Sequence, residues 1–263
     1  MNPTSQAAAK FKRISLESER PIARITLTNP PVNVIDISMM EELTAALAEI
    51  ESQPKISTVI LRGEGKCFSA GVDVAAHAPD LSEKMLKKFH AVIRALVATQ
   101  KITIAVVHGS CLGGGAELAM MCDIVLTAAD ATWGFPEITL GCYPPVAATA
   151  LSSLVGPKRA SDMILTGGTI LGAEASDIGL ATRAIPQDKL EAAVTEALER
   201  LQNLSPAVLA LTKKAIYTWD SMHFDKGLAR AEKIYLEELI KTEDAQEGVK
   251  AFLQKRNPEW TGK

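Results

Sequence analysis

The chain has 263 residues, 47% of them hydrophobic, enough apolar content for one large domain or a domain with an appendage rather than a disordered chain. Lys and Arg number 28 against 31 Asp and Glu, a net charge of −3 with no basic stripe, so binding dominated by nucleic-acid phosphates is not expected. No stretch reaches the roughly 18–20 uncharged apolar residues of a membrane span, and the N-terminus lacks a signal peptide's apolar centre; a cytoplasmic protein with no membrane partner is expected.

After a short polar leader, Phe11–Leu16 and Ile22–Leu27 alternate and carry β-formers, and Ser18-Glu19-Arg20-Pro21 supplies a turn between them. Asn29-Pro30-Pro31 ends the second strand. A helical period runs from Ser38 to Gln53, with Ser38 as N-cap and Glu41 three residues on. Ser57–Arg62 reads as a buried strand, Leu81–Thr99 as a helix and Ile102–Val107 as a strand. Three glycines then lead into a helix from about Gly115 to Cys122, followed by strand Ile124–Ala128. Helices at Pro157–Leu165 and Ala173–Ile178 and a short strand Ala181–Ile185 complete an α/β core, placed at residues 1–188. Residues 189–263 form a helical C-terminal region: Lys189–Asn203, Pro206–Trp219, Gly227–Lys241 and Asp244–Lys255 carry helical patterns.

Cys67, Cys111, Cys122 and Cys142 lack the short paired spacings of zinc or redox motifs, and His77, His90, His108 and His223 lack metal-ligand spacing, so no metal site is expected. The unusual segment is His108–Asp123, HGSCLGGGAELAMMCD, where Gly113, Gly114 and Gly115 stand beside Glu117. A dinucleotide site is disfavoured, because Leu118 occupies the position of the third glycine and Glu137 lies in a loop-like segment after Pro136 rather than at a strand end. No P-loop signature is present. Two readings stay open. Either the glycines only permit close packing, or they bare helix-start amides to a ligand oxygen, with Glu117 three residues on along the same face.

Two further segments favour the second. Lys66–His77, KCFSAGVDVAAH, follows its strand as the glycines follow theirs, and presents a second bare amide near Ala70-Gly71-Val72-Asp73. Trp133–Pro145, WGFPEITLGCYPP, brings Glu137 in a proline-bounded setting, so two carboxylates can handle one water and one substrate proton. Trp133 is either a pocket residue or core, and His108, next to the glycine segment, is read as an orienting or packing residue.

FSAGVD, HGSCLGGGAELAMMCD and WGFPEITLG, in this order, resemble the crotonase family of enoyl-CoA hydratases and isomerases. The resemblance continues through Leu154–Pro186 and into EGVKAFLQKR, covering about residues 12 to 257. It implies a crotonase-like spiral of ββα repeats with a helical C-terminal oligomerisation region, assembling as homotrimers or pairs of trimers. It implies an oxyanion hole from the amides of Val72 and Gly114, and Glu117 and Glu137 as the catalytic pair of a hydratase. Ala70 and Pro144 are read as substrate-binding, Tyr143 either lines the acyl pocket or packs in the core, and Asp73 fixes its loop through backbone hydrogen bonds. Phe252 and Lys255 match a pattern that in relatives reaches the adenine end of coenzyme A across a subunit boundary, the alternative for Lys255 being an exposed lysine on a solvated helix. The ligand is then an acyl-CoA thioester and no separate cofactor is expected. Two departures stand out: Ala75-Ala76-His77 replaces a basic residue common in the family, and Gly141–Ala148, GCYPPVAA, replaces a glycine-rich run. With PPVNVIDISMMEEL, the second departure is similar to the cyclohexa-1,5-diene-1-carbonyl-CoA hydratases of anaerobic aromatic degradation. The alternatives are a general enoyl-CoA hydratase of fatty-acid oxidation, an enoyl-CoA isomerase, or an RNA-binding protein on the same scaffold.

Overall fold

The computed structural model describes residues 11–262, except for the side chains of residues 218–223; the polar leader and the His223 side chain lie outside the described residues. The chain runs β1 (Ile14–Glu19), β2 (Ile22–Leu27), α1 (Ile37–Glu51), β3 (Thr58–Gly63), α2 (Ser82–Ala98), β4 (Ile102–Val107), β5 (Ser110–Leu112) and α3 (Gly114–Met120). It continues through β6 (Ile124–Ala128), β7 (Thr132–Gly134), α4 (Pro145–Val155), α5 (Pro157–Thr166), β8 (Thr169–Leu171), α6 (Gly172–Asp177) and β9 (Arg183–Ile185). Three helices follow: α7 (Leu190–Gln202), α8 (Pro206–Glu237) and α9 (Glu243–Leu253).

A six-stranded sheet, in the order β1-β2-β3-β4-β6-β9, is parallel except for the β1–β2 hairpin. Its central strands are near-continuous apolar runs because helices bury both faces; every residue of β4 is buried. A second, three-stranded sheet, β5-β7-β8, is extended by the isolated bridge Ser69–Cys111. Each repeat therefore lays a strand in the large sheet, a short extended piece beside the small one, and then a helix: β3, Ser69, α2; β4, β5, α3; β6, β7, α4. The α/β spiral of ββα repeats expected from the sequence is the observed fold.

Four expectations need correction. β1 begins at Ile14 rather than Phe11, because the Glu42 carboxylate takes the amides of Lys12 and Arg13 at 2.8–3.1 Å. The cap of α1 is Asp36, whose carboxylate accepts from the Met39 amide at 2.8 Å, and Ser38 lies inside the first turn. Strand β5 intervenes between β4 and the glycines, which do not follow Val107 directly. Pro206–Trp219 and most of Gly227–Lys241 belong to one 32-residue helix, α8, which ends at Glu237 before a 3-10 turn at Leu239–Lys241. Gly227 does not break it; a β-carbon there would stand 2.6 Å from Thr149 Cγ2, so the glycine lets α8 approach α4. Trp133 is core: it is fully buried and its indole N–H donates to Thr127 Oγ1 at 3.0 Å.

Among the described residues no helix is long and apolar enough to cross a membrane.

Candidate active site

The three glycines are explained by three close approaches. Gly113, at φ +50° and ψ −127°, would set a β-carbon 2.5 Å from Glu137 Oε1. A β-carbon on Gly114 would meet Val72 Cγ2 at 2.5 Å and lie 3.5 Å from the Val72 nitrogen. On Gly115 it would crowd Ser69 Cβ at 2.8 Å. Only bare backbone lets the α3 start, the Val72 loop and Glu137 share one point.

Among the described residues, neither the Val72 nor the Gly114 amide is seen to donate a hydrogen bond. Ile35 donates to Gly71 O at 2.9 Å and Asp73 donates to Ile35 O at 3.2 Å, so the bridge flanking Val72 leaves the Val72 N–H pointing away from it. Gly114 opens α3, where a helix amide has no intrahelical acceptor. Two backbone donors thus lie side by side.

Glu117, in the first turn of α3, is 2% exposed. Its Oε1 accepts from the Ala147 amide at 2.9 Å. Ala147 is the third residue of α4, and Pro145 at its first position needs no acceptor. The Pro144-Pro145 segment therefore starts a helix whose free amide fixes one oxygen of Glu117. Burial lifts the Glu117 carboxyl to about 7, against the pull of the Ala147 and Val146 amides. Glu137, in the 3-10 turn Pro136–Leu140, is 9% exposed and is pushed to about 8, first by burial and then by the charge of Glu117. Its Oε2 has no hydrogen-bond partner among the described residues.

Both carboxylates, Val72, Gly114, Ala70, Tyr143 and Pro144 line a cavity of about 70 Å³. Asp73 does not line it; its carboxylate accepts from the Ala75 amide at 3.1 Å and caps the turn Val74–His77. Phe252, 53% exposed, and Lys255, also exposed just past the end of α9, do not line the cavity. His77 does line it, buried, with its Nδ1 3.1 Å from Asp73 O and its basicity lowered by burial. His108 Nε2 lies 3.0 Å from Gly65 O, outside the cavity. Sequence reasoning missed Tyr235 of α8 and Phe89 of α2, both in the cavity wall. Neither sits in a local motif; the helical packing brings them in. Among the described residues no cluster of three His, Cys, Asp or Glu side chains is arranged to hold a metal ion.

This geometry can polarise a carbonyl with two amides while two adjacent carboxyl groups exchange protons. The chain is also similar to known proteins. Residues 17–263 match the family described as enoyl-CoA hydratase/isomerase. A cyclohexa-1,5-dienecarbonyl-CoA hydratase of Thauera aromatica is 35% identical over 256 residues, 97% of this chain and 98% of that one. A probable enoyl-CoA hydratase of Mycobacterium bovis is 34% identical over 254 residues, 95% and 98% of the two chains. The crystal structure of an enoyl-CoA hydratase from Mycobacterium avium subsp. paratuberculosis superposes with a TM-score of 0.86 at 27% identity, over 95% and 99% of the chains. By the match over residues 17–263 and relatives 34–35% identical across at least 95% of its length, this chain belongs to the enoyl-CoA hydratase/isomerase family.

Proposed function

We propose that this enzyme adds water across the conjugated double bond of an unsaturated acyl-CoA thioester, with cyclohexa-1,5-diene-1-carbonyl-CoA as its substrate. The observation that carries the reading is the pair of buried carboxyl groups beside two free backbone amides. The Val72 and Gly114 N–H groups take the thioester oxygen and stabilise the negative charge it gains. One carboxylate removes a proton from water as its oxygen bonds to the far carbon of the double bond. The other carboxyl gives its proton to the α-carbon, and the pair ends with the single proton it began with. Raised proton affinities suit this, since one group must be an acid and its neighbour a base near neutral pH. Coenzyme A enters as part of the substrate.

The cyclic substrate is supported by the resemblance of GCYPPVAA and by the Thauera aromatica relative. The Mycobacterium bovis relative, nearly as similar, favours a general enoyl-CoA hydratase as the second reading. Mass spectrometry after incubation with crotonyl-CoA and, separately, cyclohexa-1,5-diene-1-carbonyl-CoA decides between them. Water gained by the cyclic diene alone is the expected result. Water gained mainly by crotonyl-CoA favours the general hydratase, and no gain by either contradicts hydration. The same reading takes the protein as a homotrimer or a pair of trimers. Val208, Leu211 and Ile216, all more than 60% exposed on α8, support an assembling surface, and sedimentation mass tests it.

A further inference from the structure

The cavity holds a second unpaired atom besides Glu137 Oε2: the hydroxyl of Tyr235, a residue only 1% exposed, has no hydrogen-bond partner among the described residues. An unpaired buried hydroxyl costs about 1–3 kcal/mol, so a native fold that keeps one needs a reason. The Cys142 thiol lies beside the phenol, but sulfur is a weak acceptor. Around it α8 is firmly tied. The Tyr143 hydroxyl donates to Ala231 O at 2.5 Å, and the Tyr143 and Tyr235 rings meet edge-on with centroids 5.4 Å apart. Glu232 accepts from Arg94 Nη2 at 3.1 Å and lies 2.5 Å from His90 Nδ1. The ring is held, and its hydroxyl faces only the weakly accepting Cys142 sulfur.

We propose that the Tyr235 hydroxyl and Glu137 Oε2 together hold the oxygen that the reaction adds, as water beforehand and as the hydroxyl of the hydrated acyl-CoA afterwards. This rests on the hydratase reading. The phenol donates to that oxygen, and the Glu137 carboxyl pairs with it from the other side, so one oxygen satisfies both unpaired atoms. Tyr235 keeps its proton throughout. The water proton goes to one carboxylate, the other carboxyl protonates the α-carbon, and the new C–O bond replaces the π bond. Burial keeps the phenol protonated, as a donor must be. The contact distinguishes a hydroxyacyl thioester from a saturated one of the same length.

The test is calorimetric titration of the wild type and Tyr235→Phe with 3-hydroxybutanoyl-CoA and with butanoyl-CoA. The wild type is expected to prefer the hydroxylated ester. The variant is expected to lose about tenfold in affinity for it and to bind butanoyl-CoA unchanged. Its melting temperature is expected to change little, since in the free protein the lost hydroxyl faced only the weakly accepting Cys142 sulfur. An unchanged preference overturns the proposal and leaves the hydratase reading standing. Equal losses for both esters, or a lowered melting temperature, make Tyr235 a packing residue and also overturn it. A wild type that binds neither ester also overturns this inference, while the hydratase reading stands or falls separately on water gain by the cyclic diene.

Discussion

Two places where the chain buries charge are treated in opposite ways. Where α8 meets β4 and the start of β6, Lys213 Nζ donates to Asp123 Oδ2 and to Lys101 O, both at 2.8 Å. The same Asp123 oxygen also accepts from the Thr103 amide at 2.7 Å and the Thr103 hydroxyl at 2.9 Å. In the cavity, Glu117 has one amide on one oxygen, Glu137 Oε2 has no partner, and neither carboxylate meets a cation among the described residues. The first cluster is saturated and fixes a helix. The second is left short of partners, so its protons can move during a reaction. Burial alone therefore says little about a carboxylate's role; its unfilled hydrogen-bonding capacity says more.

The largest effect that would break this contrast is chemical. Glu117→Gln should lower the hydration rate by about 10³-fold while keeping the fold, because the amide oxygen still accepts from Ala147. Near-normal turnover by a folded variant would remove Glu117 from the chemistry. In the saturated cluster the loss should fall on stability instead. Lys213→Met leaves the partly buried Asp123 carboxylate without its cation and should cost about 3 kcal/mol in urea unfolding. Activity per folded molecule should barely change; a loss under about 1 kcal/mol would mean that Thr103 suffices to hold Asp123.

Gly113→Ala sharpens the comparison. It forces an L-residue into φ +50° and ψ −127° and pushes a methyl against Glu137 Oε1. Activity should drop about 10²-fold with a stability loss of about 1–3 kcal/mol, read from rates and thermal melts. An active, stable variant would show that Glu137 need not sit against that backbone.

The smallest effect is in pH dependence. Both glutamates bind protons more tightly folded than at their ordinary value of 4.5, so their contribution to stability is present below that pH. It is lost as pH rises through about 7 for Glu117 and about 8 for Glu137. Glu137→Gln removes one share, so its stability relative to wild type should climb across that window and level off above it. Urea midpoints at about pH 5 and pH 9 check the slope, and parallel curves would contradict it.

Much of this was legible in the sequence. The central strands are apolar runs of adequate length, and the glycines beside Glu117, with FSAGVD and WGFPE, mark the site. The three-residue strands β5, β7 and β8 were not, because three residues carry no usable period. Nor was the partner of Glu117, since a backbone amide has no residue signature and only Pro145 hinted at a helix start there. Gly227 opens a helical pattern in the sequence and proves to be a contact point inside α8. Tyr235 sits in an ordinary helical stretch, and only packing across α2, α4 and α8 brings it to the cavity.

The central claim is that Glu117 and Glu137 act as one proton-handling pair. The most direct measurement is the rate of water addition by Glu137→Gln, with the double-bond position of recovered substrate followed in the same reaction. Loss of hydration comparable to that of Glu117→Gln, in a folded protein, is the predicted result. Hydration near the wild-type rate would contradict the pair and leave a single working carboxylate, and double-bond migration without water addition by the wild type would make the enzyme an isomerase.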